Sequence, residues 1–443
     1  IGWALIMEYA IGNIYVAFSW SGYVVHLLDQ LGWVLPRWLV TDYSTAHEVY
    51  QGVLNQMNVA ISGGQFDDLW KSANLNGYSR SDQDAFLAFS QAPNIMGIHI
   101  VFDAPALLIN VLITLLVYRG IKESRNASNA MVILKLIAIG LVIVVGVAYI
   151  DVKNYTPFMP NGFEGVMQGV SALFFTYIGF DAVSVLAEES KDPQRDLPKG
   201  MIWSLVICTI VYILLALVLT GAVNYKKFDG VGDPLAFIFE KENLNVGWMQ
   251  FFVAIAAVVA MTSVLLVFQM GQPRIWMSMS RDGLLPPVFQ KIHPKYKTPS
   301  FATIVTGLVV GIPIFFTDKT FVLDFTSIAT LFAFVLVCGG ILLIPEKEKE
   351  PGKFHIPYIN GKFIFPIVVI ASMVGAYLLS PTYYHDMFNF DFSNNPDYQS
   401  GTSSFMDLAT PNISLIIFWI SAIVLAAVSF IKSFSLIPLM GLI

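Results

Sequence analysis

The sequence predicts an all-α, multi-pass membrane protein, and three observations carry that prediction. Charged residues make up 13% of the 443 positions, about half the share found in an ordinary soluble domain. That leaves too little polar surface to coat a water-soluble globule. Hydrophobic residues reach 56%, and the mean hydropathy is +0.66. The charges also fall in short clusters between apolar runs of roughly 20 residues, the length at which a helix crosses a bilayer.

Taken in order, ten runs have spanning length: residues 3–32, 96–118, 129–150, 164–187, 201–223, 246–278, 299–317, 322–345, 364–381 and 411–431. An eleventh is expected to begin at Leu436 and to be cut short at Ile443. The first and sixth exceed a straight crossing, which predicts tilt or an extension along the interface. Alternate loops divide by charge. Arg119 to Arg125, Lys191 to Lys199, Arg281 to Lys297, Lys347 to Lys362 and Lys432 fall on one side. The opposite loops spread their basic residues over greater lengths, so the first set is cytoplasmic. Segment 33–95, rich in Asp, Ser and Asn, then lies outside, either as a small lid or as a solvated insertion. The outside stretch 382–410 carries aromatics suited to the membrane surface.

Several function classes drop out. Cys208 and Cys338 sit inside apolar runs as small packing residues and offer no disulfide framework or metal spacing. The six histidines are scattered, and no HExxH, Walker or GxGxxG pattern occurs. No cofactor and no nucleic-acid partner is predicted. An integral-membrane enzyme would gather His, Cys or Asp at a membrane face, and the sequence has no such cluster. The oligomeric state leaves no mark on the sequence.

Polar groups inside a span mark the candidate site, because a central charge costs about 2.5–3.5 kcal/mol on insertion scales. Lys135, in MVILKLIAIGLVIVVG, is the basic residue set among apolar neighbours. It either snorkels to the cytoplasmic headgroups or is an amine whose proton comes and goes, since desolvation disfavours the charged form. The stretch Phe174-Phe175-Thr176-Tyr177-Ile178-Gly179-Phe180-Asp181 puts a helix-weakening glycine two residues before a capping aspartate. That pattern suggests a discontinuous helix lining a cavity; a plain kink with Asp181 bonded to a neighbouring helix is the alternative. Glu8, in GWALIMEYAIG, either faces the bundle interior as a functional carboxyl or holds two helices together. Asp29 and Asp103 lie near span ends and read as interfacial. Thr262 and Ser263 either bond back to their own helix or present hydroxyls to a partner.

Those residues carry a resemblance. FFTYIGFDAVSVLAEESKDPQRDLPKG (174–200) resembles the sixth helix and following loop of amino acid permeases of the amino acid–polyamine–organocation superfamily. GQPRIWMSMSRDGLLPP (271–287) is similar to the end of that family's eighth helix, and GWALIMEYAIG (2–12) to its third. The cationic amino acid transporter branch and its bacterial relatives are the nearest match, over nearly the whole chain. The resemblance implies a LeuT-type 5+5 inverted-repeat fold, here lacking its first two helices and truncated at the C-terminus. Residues 1–150 would be the remainder of the first repeat, with the extracellular insertion 33–95. Residues 151–345 would form the second repeat, and 346–443 the additional C-terminal helices.

The same resemblance implies a function and its residues. It points to secondary active transport of amino acids across a plasma membrane, as in a bacterial inner membrane, by proton-coupled symport. Substrate, protons and the lipid bilayer would be the partners. Backbone carbonyls of Phe175, Thr176, Tyr177, Ile178 and Gly179 would hold the substrate ammonium, with Phe175 as an aromatic gate. Lys135 would take the place of the sodium ion of sodium-driven relatives and contact Thr262 or Ser263. Asp181 and Glu8 would join the proton or gate chemistry. Obligate amino acid or polyamine exchange is the alternative within the class. A transporter-derived sensor is the alternative outside it, although no signalling domain is recognisable.

Overall fold

A computed structural model gives the architecture. It describes residues 2–56, 80–95, 97–120, 125–162, 165–166, 169–170, 173, 175–177, 179, 192–228, 231, 233–241, 243–343, 358–379, 383–390, 405–432 and 434–442. These form two compact units, Gly2–Thr330 and Leu331–Ile443. The long elements are helical; one two-residue hairpin, β1 (Asn94–Ile95) with β2 (Ile98–His99), interrupts them.

The first unit is built around α1 (Gly2–Gln30) lying against α7 (Gly247–Arg281). Helices α4 (Ala104–Arg119) and α8 (Ser300–Gly311) pack beside them. Ala10, Ile14 and Ala17 of α1 share a core with Ile109 and Ile113 of α4, Leu265 of α7 and Val310 of α8. Small residues set the spacing, as is usual where membrane helices meet. A Cβ on Gly271 would lie 2.7 Å from the Tyr9 ring, and one on Gly307 would lie 2.6 Å from Thr114. Helices α5 (Arg125–Val147) and α6 (Pro193–Ala222) pack on each other, and α5 also meets α7.

Among the described residues, five helical segments are long and apolar enough to cross a membrane: Ala130–Val147, Pro193–Ala222, Gly247–Arg281, Gly361–Leu378 and Asn412–Ile431. Ala104–Arg119, Ser300–Phe315 and Thr330–Leu343 are shorter apolar helices. Helix α1 has the length but not the hydropathy, because Glu8, Asn13 and Ser21 lie along it; all three are buried against neighbouring helices. The expected span 164–187 falls mostly outside the described residues.

One expected boundary is corrected. The run read as a span from 96 begins with the β-hairpin, and helix α4 starts only at Ala104. Asp103 is the reason: its carboxylate accepts from the Ala106 N–H at 2.9 Å and from Ser21 Oγ at 2.6 Å, a helix cap buttressed from α1. At the expected eleventh run a five-residue helix, Leu436–Met440, begins at Leu436, with Pro438 and Leu439 buried. Its Leu436 N–H bonds the Ile359 carbonyl at 2.7 Å. It joins the core of the second unit, where α10 (Gly361–Leu379) and α11 (Phe405–Ile431) pack through Phe365, Val369, Trp419 and Ala422. Helix α9 (Lys319–Leu343) begins in the first unit and ends in the second.

The insertion has a core of its own. Helices α2 (Tyr43–Gln56) and α3 (Arg80–Ser90) bury Tyr50, Phe86 and Phe89, and His99 of the hairpin stacks on Phe89 at 4.5 Å. Asp42 caps α2 through the Thr45 N–H. Burial raises its carboxyl above the usual carboxylate range, the Thr45 bonds oppose the shift, and the charge of Asp318 adds to it. A carboxyl raised in this way favours the fold while protonated, and that contribution fades as pH rises through the raised value. Asp42→Asn, which keeps the capping oxygen, is therefore expected to raise the melting temperature slightly at neutral pH. In acid the gain should vanish; a melting scan at the two pH values measures it.

Candidate functional site

Lys135 sits mid-way along α5, and its Nζ donates to Ser263 Oγ on α7 at 2.9 Å. The side chain therefore reaches sideways into the bundle as well as lying among apolar neighbours. Thr262 takes a different partner. Its hydroxyl accepts from Trp20 Nε1 of α1 at 2.9 Å and donates back to the Val258 carbonyl at 2.7 Å. Adjacent hydroxyls on one helix thus serve two different helices, because consecutive residues point about 100° apart around the axis.

The second feature is the irregular segment around Gly179. Phe175–Tyr177 forms a 3-10 turn. Gly179 has φ +106°, a conformation that disfavours any residue with a Cβ. A Cβ there would lie 3.8 Å from the ring of Phe268 on α7. Helix α6 holds the segment from the other side: the Tyr177 hydroxyl meets Thr209 Oγ1 at 2.9 Å, and Tyr212 OH donates to the Thr176 carbonyl at 3.0 Å. The Thr176 carbonyl, expected to be offered to substrate, thus already accepts one hydrogen bond. Asp181, Ile178 and the side chain of Phe175 lie outside the described residues.

Glu8 is 1% exposed, one residue before Tyr9, whose ring meets Phe268 edge-on at 5.4 Å. Glu8 and Lys135 both lie on helices packed against α7. Ser263 and Phe268 are five residues apart on that helix, about 7.5 Å along its axis. Lys135 and the irregular segment accordingly abut the same stretch of one helix.

A third group was not singled out from the sequence. Asn13 Nδ2 donates to Gln269 Oε1, Gln269 Nε2 to Thr114 Oγ1 at 2.8 Å, Thr114 Oγ1 to the Asn110 carbonyl at 2.7 Å, and Asn110 Nδ2 to the Gly307 carbonyl at 3.0 Å. This chain of bonds stitches α1, α7, α4 and α8 together beside the site. The insertion cost that marked Glu8 and Lys135 applies to Asn13, Asn110 and Gln269 too, so the signal was present in the sequence.

A partly buried lysine against a hydroxyl, next to the segment around Gly179, suits binding and movement of a small solute better than bond chemistry. The family model described as amino acid permease matches residues 2–399. The chain belongs to the amino acid permease family.

Three relatives give the range of this permease's kin. The branched-chain amino acid permease BcaP of Bacillus subtilis (strain 168) is 35% identical over 359 residues, 81% of this chain and 66% of the relative. The methylthioribose transporter of the same organism is 33% identical over 375 residues, 84% of this chain and 68% of the relative. The vacuolar cationic amino acid transporter 2 of Arabidopsis thaliana is 31% identical over 386 residues, 85% of this chain and 52% of the relative. The permease thus spans 52–68% of the length of these relatives. All three are named as carriers, and the family is one of transporters, not enzymes.

Proposed function

We propose that this protein is a secondary active transporter that carries amino acids across a membrane, driven by protons. The observation that carries this reading is the Lys135–Ser263 contact, which sets a removable positive charge between α5 and α7. A charge that appears and disappears at a helix–helix contact biases two conformations only if they hold the proton with different affinity. The LeuT-type repeat fits it. Helices α1, α4 and α5 stand for the third to fifth family helices, and α6 to α9 for the seventh to tenth. The irregular segment between α5 and α6 then falls where a broken sixth helix would hold substrate. Two of the relatives are named for branched-chain and cationic amino acids and one for methylthioribose, and with the amino acid permease family they favour an amino acid as the solute. A multi-pass plasma-membrane location goes with this reading.

The test is uptake of a labelled amino acid panel by the full-length protein in liposomes, with and without an inward proton gradient. Accumulation that follows the gradient supports symport. Uptake only into liposomes preloaded with amino acid would replace it with exchange. Phe175→Ala should weaken apparent substrate binding about tenfold, the equivalent of 1.4 kcal/mol. Unchanged affinity in an equilibrium binding assay would remove the gate from the reading.

A further inference from the structure

Away from the Lys135 region, α1 ends beside the segment that joins α6 to α7. Three side chains from separate stretches of chain converge there. His26 comes from the last turns of α1, Asp233 from the residue before the short helix Pro234–Phe237, and Glu240 from the turn that follows it. His26 Nδ1 is 3.5 Å from Asp233 Oδ2, and His26 Nε2 is 3.9 Å from Glu240 Oε1. One donor atom from each of the three lies within 4.8 Å of the others. The side chains are 24%, 11% and 16% exposed, so water reaches the cluster without surrounding it.

We propose that His26, Asp233 and Glu240 form a binding site for a divalent transition-metal ion of the Zn2+ class. One imidazole nitrogen and two carboxylates are donors that Zn2+ accepts, with bonds of about 2.0–2.2 Å and one position left for water or another ligand. Tetrahedral bonds of that length put donor atoms about 3.3–3.5 Å apart. The His26–Asp233 spacing already matches; Glu240, 3.9 Å from Nε2 on the other side of the ring, has to turn towards Nδ1 to supply the third donor. Gln250 Nε2 of α7 stands 3.0 Å from His26 Nε2; with its amide turned over, the Gln250 oxygen would accept from Nε2–H while Nδ1 binds the ion, as the outer partner of a metal-bound histidine does.

The charges around the cluster fit a dication. Lys319 is coupled electrostatically to Asp233 and Asp103, and Tyr23 to Asp233. Asp233 and Glu240 set two carboxylates beside the imidazole of His26, a charge that a dication offsets. The ion would tie the 231–246 segment to α1, on the face that the lysine and arginine distribution assigns to the outside. This site does not depend on the transport reading.

Titration of chelator-treated, full-length protein in detergent with ZnCl2 at neutral pH tests it by calorimetry. Saturable binding of one ion per chain is expected, weakened about tenfold or more in His26→Ala, Asp233→Asn and Glu240→Gln alike. Zn2+ should also raise the melting temperature of the wild type and not of the variants, whose melting in chelator checks that they are folded. Absence of saturable heat up to millimolar Zn2+ would overturn the proposal. So would undiminished binding in folded variants, which would place the ion on other histidines.

Discussion

Proton-driven uptake is expected to disappear in Lys135→Ala, while substrate binding stays within a few-fold of wild type. The ammonium donates to Ser263 across the α5–α7 contact, and alanine removes both the charge and the bond. The expected loss in gradient-driven accumulation is tenfold or more, since a bias of about 1.4 kcal/mol between two states already shifts their ratio tenfold. Lys135→Arg separates charge from proton. Arginine keeps the cation but does not lose it at any accessible pH, so its residual uptake should lose its dependence on the gradient. Ser263→Ala should give an intermediate loss. Measurement in liposomes at two external pH values reads all three, and an unaltered pH dependence in Lys135→Ala would leave the lysine a structural charge.

The largest effect on stability is expected from Gly307→Val. A Cβ at 307 would meet Thr114 Cγ2 at 2.6 Å and Oγ1 at 2.7 Å. Thr114 has little room to yield, because its hydroxyl donates to the Asn110 carbonyl and accepts from Gln269. Displacing it therefore strains the chain of bonds from Asn13 to Gly307 as well as the packing of α4 on α8. Overpacking typically costs about 1–3 kcal/mol, and each bond lost between membrane helices adds about 0.6 kcal/mol. The readout is loss of monodisperse protein and a lower melting temperature in detergent. Adding Thr114→Ala should recover part of the loss; failure to recover any would show that the close approach at 307 is not what the valine disturbs.

Helix existence and the expensive residues were legible because each follows from local chemistry. Apolar runs place α4 to α11 near their observed positions, and the lone lysine of α5 marks itself by its cost. Pairings were not legible from the residues alone: the Lys135–Ser263 contact, across 128 positions, was expected only through the family resemblance. Asn13 and Gln269, 256 positions apart, were not expected to meet. The histidines looked scattered for the same reason: His26 meets its acidic neighbours only after the α6–α7 connection folds back on α1. Boundaries moved where a side chain, not hydropathy, decides them, as Asp103 does by capping α4 within an otherwise apolar run.

Proline at position 273 gives α7 a particular mechanical character. Proline has no N–H to donate four residues back, so the missing rung is the one that would close on Gln269. That residue's side chain is bonded to both Asn13 and Thr114. A missing rung of the backbone ladder in a rod of 35 residues, about 52 Å long, therefore coincides with a lateral anchor to α1 and α4. Such an arrangement is a fulcrum. The arm bearing Ser263 and Phe268 and the arm bearing Trp276 and Met279 can change their mutual angle there while the pivot stays seated in the bundle.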